Sequence, residues 1–198
     1  MTGEPCILVL AAGQGSRYRA QATPSSDKLM ARCRGLDGVE RGVLEQVLGN
    51  LATTTARKIL VSLPGKPAVE ALAGQHGFEL LSVNSTGMGH SLAAAATASA
   101  EQSGWLVVLG DMPFIQPQTY QAVLASLRSD RISVACGPAG QGHPVAFGAH
   151  FGAALRALAG DAGGRKLMTA DNLLPVHVAE GGIYRDVDVP ADLVHTAR

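Results

Sequence analysis

Aromatic side chains are scarce in this chain, at 4% of 198 residues. So few rings cannot furnish the stacking platforms on which single-stranded nucleic acid is bound. A surplus of charge is missing as well: 16 basic and 16 acidic side chains leave a formal net charge of zero. Without a basic block, a broad electrostatic footprint for nucleic acid or an anionic membrane is excluded. Long apolar runs are absent too. The strongest, around Trp105–Leu109, is interrupted by Gly110-Asp111, well short of the roughly 18 residues that mark a spanning helix. Cysteine is limited to Cys6, Cys33 and Cys136, far apart and without metal-ligand spacing. Cys6 and Cys136 lie in apolar runs and read as small core residues. The odd count and the lack of a secretory leader fit a reducing cytoplasm, the expected location.

Two familiar glycine motifs are also missing. The dinucleotide fingerprint needs a third small residue, but Gly13 and Gly15 are followed by Tyr18 in that place. The Walker loop needs Gly-Lys-Ser/Thr after a four-residue gap, which Gly13 to Lys28 cannot supply. Leu63-Pro64-Gly65-Lys66-Pro67 does hold a Gly-Lys pair, but Pro67 fills the hydroxyl position, so it reads as a strand-to-helix turn.

What is present is a strand that empties into small residues. Ile7, Leu8, Val9 and Leu10 form a short apolar run, followed by Ala11, Ala12, Gly13 and Gly15. Bare backbone of this kind can turn its N–H groups toward a phosphate chain. Arg17 and Lys28 add fixed positive charge to the same place. Strand, glycine-rich turn and two cations together describe a nucleoside-triphosphate site.

The length suits one good α/β core, and the chain reads as a single domain over residues 1–198. Strands are expected near Cys6–Leu10, Lys58–Ser62, Glu79–Val83, Trp105–Leu109, Ile132–Cys136 and Pro144–Phe147. Helices are expected near Gly42–Thr55, Pro67–His76, Met88–Gln102, Pro117–Leu127, Phe151–Ala159 and Arg165–Asn172, with a short one from Pro190. Such alternation predicts a mostly parallel sheet covered by helices on both faces, with ligands outside the carboxyl ends of the strands. The stretch Arg19–Glu40 exceeds the usual connection length and is expected to be a functional lid or a disordered loop.

The acids repeat the logic of the first strand. Leu106-Val107-Val108-Leu109 ends at Gly110-Asp111, and Pro113 holds the carboxylate in a turn. A hard cation such as Mg²⁺ takes one or two protein carboxylates and completes its shell with phosphate oxygens and water. Asp111 is placed to be one of them. Asp186 and Asp188, two apart in an extended segment, face the same side; Asp188, nearer the helix start at Pro190, is the preferred second ligand. Asp192 lies inside that helix and complements its dipole. Gly87-Met88-Gly89-His90-Ser91 opens the Ala-rich helix and reads as an anion- or base-edge-binding turn, with plain N-capping the alternative for Thr86 and Ser91. His90 reads as an exposed polar residue. His143, between Gly142 and Pro144, sits on a tight loop entering a strand.

In order along the chain stand Leu10-Ala11-Ala12-Gly13-x-Gly15-x-Arg17, Lys28-Leu29 and Gly87-Met88-Gly89-x-Ser91-Leu92. Then come Gly110-Asp111-Met112-Pro113, Gly142-His143-Pro144-Val145-x-Phe147, Gly160-Asp161-x-Gly163-x-Arg165 and Asp186-Val187-Asp188-x-Pro190-x-Asp192-Leu193. The series resembles the MobA-like NTP transferase family, the molybdenum-cofactor nucleotidyltransferases, and its Leu-Ala-Ala-Gly start and Gly-Met-Gly turn resemble the cytidylyltransferase branch. The resemblance implies a three-layer α/β/α, Rossmann-like nucleotidyltransferase fold. It implies transfer of CMP from CTP to the phosphate of molybdenum-molybdopterin, with release of pyrophosphate. It places Leu10, Ala11, Ala12, Gly13, Gly15, Arg17, Lys28, Gly87, Met88, Gly89 and Ser91 on the nucleotide, with Arg17, Lys28 and Asp111 in catalysis. It puts Mg²⁺ on Asp111 and Asp188, and His143, Asp161 and Arg165 near the pterin. Its implied partners are CTP, a molybdopterin-type cofactor and an apo molybdoenzyme or its accessory protein. The rivals are another NTP transferase on the same fold, for GTP or for a sugar phosphate, and an accessory protein that binds the cofactor without turnover. The longer path from Arg17 to Lys28, and Asp37-Gly38-Val39-Glu40-Arg41 in place of the family's Gly-Lys-Pro-Leu, depart from the pattern.

Overall fold

The computed structural model describes residues 3–23 and 26–194. β1 (Cys6–Ala11) alternates its side chains between two hydrophobic clusters, so it is buried on both faces. Ile7 and Val9 meet α2 (Val43–Asn50), α3 (Pro67–Gln75) and α5 (Pro117–Ala125) on one side. Cys6 and Leu8 meet α4 (Met88–Ala98) and α6 (Gly152–Arg156) on the other. This is a three-layer α/β/α sandwich. Burial pushes the Cys6 thiol up to about 11, as suits an inert core cysteine.

Among the described residues the main sheet has seven strands in the order β5 (Glu79–Ser82), β4 (Arg57–Ser62), β1, β6 (Gly104–Leu109), β8 (Gly140–Gly148), β7 (Ile132–Gly137) and β9 (Leu173–His177). β4, β5 and β6 run parallel to β1, whereas β8 runs antiparallel to β6 and to β7. The fold is thus a mostly parallel, Rossmann-like sheet with helices on both faces. From β1 the chain crosses to β4 on one side and reaches β6 on the other. The carboxyl ends of β1 and β6 therefore flank a topological switch point, where open α/β sheets bind ligands. The Gly110 N–H donates to the Leu10 carbonyl at 2.9 Å and ties the two ends together. Among the described residues, no helix is long and apolar enough to cross a membrane.

Three segments differ from the sequence expectation. Residues 165–172 form no α-helix: a 3₁₀ turn over Gly164–Leu167 leads into β9 (Leu173–His177), paired parallel to β7. Asn172 accepts from the Thr169 N–H and donates to the Leu167 carbonyl, closing a turn that ends helical geometry. Pro175 is tolerated in β9 because that strand is at the sheet edge. The predicted lid is also organised. It takes in the end of α1 (Ser16–Gln21) and runs through β2 (Arg32–Arg34) to the start of β3 (Glu40–Gly42), which pair as a hairpin, while Pro24 and Ser25 lie outside the described residues. Gln46 of α2 donates to the Val39 carbonyl at 2.9 Å and fastens the hairpin turn. The last helix, at Pro190–Leu193, is a 3₁₀ turn.

Candidate active site

The glycine loop leaves β1 and turns into α1 at Gly15, whose φ of 62° is left-handed backbone that favours glycine. The stem of Lys28 passes over this glycine: a Cβ there would meet Lys28 Cγ at 3.5 Å. Lys28 is far from loose. The Leu44 N–H donates to Leu29 O at 2.9 Å, and the Leu29 N–H donates to Asp27 Oδ1 at 3.1 Å. The turn carrying Lys28 is therefore pinned to the start of α2, and buried Leu29 anchors it in the core.

Its ammonium reaches two acids that lie 77 residues apart in sequence. Lys28 Nζ is 2.5 Å from Asp111 Oδ2 and 3.6 Å from Asp188 Oδ1, with its side chain only 11% exposed. Arg17, largely solvent-exposed, donates to Asp188 Oδ2 at 2.8 Å. The 186–188 segment is docked by the Val187 N–H, which donates to Asp111 O at 2.8 Å. Asp192 Oδ2 accepts from the N–H groups of Asp188 and Val189, so its carboxylate caps the 3₁₀ turn and orients Asp188. The hydrogen bond from Arg17, assisted by the Lys28 charge, holds the Asp188 carboxyl below the usual range. Desolvation and the nearby Asp188 and Asp111 carboxylates push Asp186 upward instead.

Arg17, Lys28 and Asp111 border a cleft of about 610 Å³ lined also by Leu10, Ala11, Ala12, Gly13, Gly87, Met88, Ser91 and Asp161, whereas Gly15, Gly89 and Asp188 are not among its lining residues. Gln14, Ser16 and Ser85 line it too, and sequence reasoning did not select them. Ser85 is the informative omission. Its hydroxyl donates to Gly87 O at 2.6 Å and accepts from the Gly87 N–H and from Ser91 Oγ, closing the turn from inside. Such a knot of small polar groups leaves no pattern in sequence beyond two serines.

The Gly87–Gly89 turn packs closely against residues 159–162. The Gly89 N–H donates to Gly160 O at 2.8 Å and is spent on the protein rather than free for an anion or a base. A Cβ on Gly89 would meet the carbonyls of Ala159, Gly160 and Ala162, at 2.7 to 2.9 Å, and one on Gly87 would strike Gly160 and the Asp161 carboxylate. The glycines are there for close passage of residues 159–162. Neither Thr86 nor Ser91 caps the helix; Thr86 Oγ1 pairs with His90 Nδ1 at 2.6 Å. Ala12, 7% exposed, packs into the core cluster of Leu92 and Ala95 and offers the cleft little surface.

A second cavity, about 350 Å³, adjoins the first and shares Met88 and Leu109 with it. His143 and Arg165 line it, whereas Asp161 lines the first cleft, so the expected cluster of three is divided between the two. Among the described residues, His143 Nδ1 is buried without a hydrogen-bond partner. Burial lowers the His143 pKa, opposed in part by the Asp111 carboxylate. The Gly65-Lys66 pair is a turn as expected: Lys66 precedes α3, and its ammonium pairs with Asp27 at 2.8 Å.

A family model described as the MobA-like NTP transferase domain matches residues 7–176. The chain belongs to this family. Among solved structures, the MobA-like chain is similar to a nucleotidyl transferase from Methanothermobacter thermautotroptrophicus, with TM-score 0.78, 20% identity and coverage of 96% of this chain and 94% of that one. It is similar to Rv0371c from Mycobacterium tuberculosis, with TM-score 0.74, 23% identity, and 97% and 96% coverage. A manganese complex of Rv0371c aligns at TM-score 0.69 and 25% identity, covering 96% of this chain and 95% of that one. Among curated proteins, the bifunctional protein GlmU of Dinoroseobacter shibae is 36% identical over 124 residues, 61% of this chain and 26% of its own length. That of Polaromonas naphthalenivorans is 30% identical over 166 residues, 77% of this chain and 33% of its own. The chain thus spans about a quarter to a third of the curated relatives it matches.

Proposed function

We propose that this MobA-like domain, extending over residues 1–198 in the cytoplasm, transfers CMP from CTP to the phosphate of molybdenum-molybdopterin and releases pyrophosphate. The observation that carries the reading is the placement of Lys28 and Asp111 at a cleft that adjoins a second cavity, with Asp188 reaching the same ammonium at 3.6 Å. A donor nucleotide and an acceptor would there meet beside one cluster of charge. The Leu10–Gly15 loop and the Gly87–Ser91 turn support cytidine through their likeness to the cytidylyltransferase branch.

The two acids fit a divalent cation, since both already direct an oxygen at one positive centre, Lys28 Nζ. Among the described residues no third Asp, Glu, His or Cys completes a metal cluster, which suits Mg²⁺, whose remaining ligands come from phosphate and water. When bound, the metal supplies charge neutralisation at the α-phosphate. The acceptor phosphate oxygen bonds to the α-phosphorus as the bond to the β-phosphate oxygen breaks, and pyrophosphate departs. A phosphate monoester is largely ionised near neutral pH, with a second pKa of about 6, so no strong base is required. The chain's own work is positioning and electrostatics: Arg17 and Lys28 steady the triphosphate, and the glycine loop brings backbone close to it. His143, kept neutral by burial, contributes a hydrogen bond to the acceptor rather than charge.

The second cavity has apolar walls that include Leu92, Val107, Val145 and Phe147, with Gln141, His143 and Arg165 as polar side chains that could meet an acceptor. Thermal shift with CTP, GTP, ATP and UTP, followed by rates with molybdenum-loaded molybdopterin, tests the reading. CTP should exceed GTP by at least about tenfold in kcat/KM. A preference for GTP or ATP, or turnover with sugar phosphates alone, would refute it.

A further inference from the structure

We propose that Lys28 occludes the metal position until a triphosphate arrives, so that metal and nucleotide bind together and neither acid is offered to free metal. This rests on the reading of Asp111 and Asp188 as the metal pair. The Lys28 ammonium is in hydrogen-bond contact with Asp111 Oδ2 at 2.5 Å and faces Asp188 Oδ1 at 3.6 Å. It holds the oxygen faces that two carboxylates would turn to a cation, and its own charge repels one. The pair is shielded, with the Lys28 and Asp111 side chains 11% and 22% exposed, so solvent screens it weakly. Arg17 does not share this role: 80% exposed, it meets the opposite oxygen of Asp188 and remains in water.

The same geometry supplies the release. Hydrogen bonds at Leu29 hold the backbone, so the change is confined to the lysine side chain. Its stem already lies against Gly15 of the phosphate-binding loop, with Cγ and Cδ 3.5 and 3.7 Å from where a Cβ would stand. An ammonium on a flexible stem needs only to rotate about its outer bonds to leave the acids for a triphosphate seated on that loop. Triphosphate and metal are then coupled through one movable charge, and the coupling is reciprocal.

The probe is Mn²⁺ alone, titrated against the whole chain and followed by electron paramagnetic resonance, with and without a non-hydrolysable CTP analogue. Without nucleotide, Lys28→Met should bind Mn²⁺ at least about tenfold more tightly than the parent chain, within the usual range of coupling between sites. The analogue should tighten Mn²⁺ binding markedly in the parent and little in Lys28→Met. Lys28→Met/Asp111→Asn should lose the gained affinity, which places the ion at the acids. Circular dichroism of each variant checks that it folds, and Lys28→Gln provides a second neutral replacement that should behave as Lys28→Met does. Equal nucleotide-free affinity in the parent and both neutral variants would overturn the occlusion while leaving the metal pair intact. Absence of Mn²⁺ binding in every state, with nucleotide binding retained, would overturn the metal pair as well.

Discussion

Replacing Asp111 by Asn removes a charge and almost nothing else. The main-chain carbonyl that receives the Val187 N–H is untouched, so the 186–188 segment should stay docked. What disappears is the ion pair with Lys28, whose partners are mostly but not fully buried. Breaking a fully buried pair costs about 3–5 kcal/mol and an exposed one under about 1. The residual exposure and the remaining contact of Lys28 with Asp188 place this variant at about 1–2 kcal/mol. In a domain of this size that lowers Tm by about 2–8 °C. The effect on chemistry should be far larger, because preorganised charge at the transferring phosphorus is lost: on the order of 10²-fold or more in turnover. Calorimetry and a pyrophosphate-release assay read the two effects separately. Full activity in Asp111→Asn, or parent activity unchanged in excess chelator, would refute the assignment of this carboxylate to the metal.

Because the Asp188 carboxyl is held below its ordinary value in the folded protein, its contribution to stability is complete above about pH 4 and fades as pH falls through the folded value. Denaturant titrations at stepped pH should therefore show a shallower acid loss in Asp188→Asn than in the parent, and parallel curves would count against the Arg17–Asp188 pair. His143→Ala should raise KM for the acceptor while leaving CTP binding unchanged, since the imidazole lines only the second cavity; isothermal titration with CTP and steady-state rates separate the two. Ala12→Gly should cost about 1 kcal/mol of stability, from lost packing and added chain freedom, visible as a lower Tm. A large change in base preference without that loss would show the methyl faces the nucleotide instead.

Much of the architecture was legible because its signals are local. The apolar runs at Ile7–Leu10 and Leu106–Leu109 are strands buried on both faces, and each ends at the small residue and charge that mark a ligand edge. Patterns failed where long-range partners decide. Residues 32–42 carry no strand alternation, yet Gln46 on α2 secures them as a hairpin. Leu173–His177 became a strand because β7 offered an open edge, which no local preference announces.

The candidate site divides along the same line. Sequence alone singled out the groups: a strand that empties into glycines and a short list of cations and acids, all of which are chosen for backbone freedom or fixed charge. The tertiary structure decided what those groups do to one another. Only folding brings Asp111 and Asp188 to one ammonium, spends the Gly89 N–H on Gly160, and separates Asp161 from His143 and Arg165. Charge and hydrogen bonding depend on distances between atoms, and those distances are set by how loops from β1, β6 and the C-terminal segment meet at the switch point of the sheet.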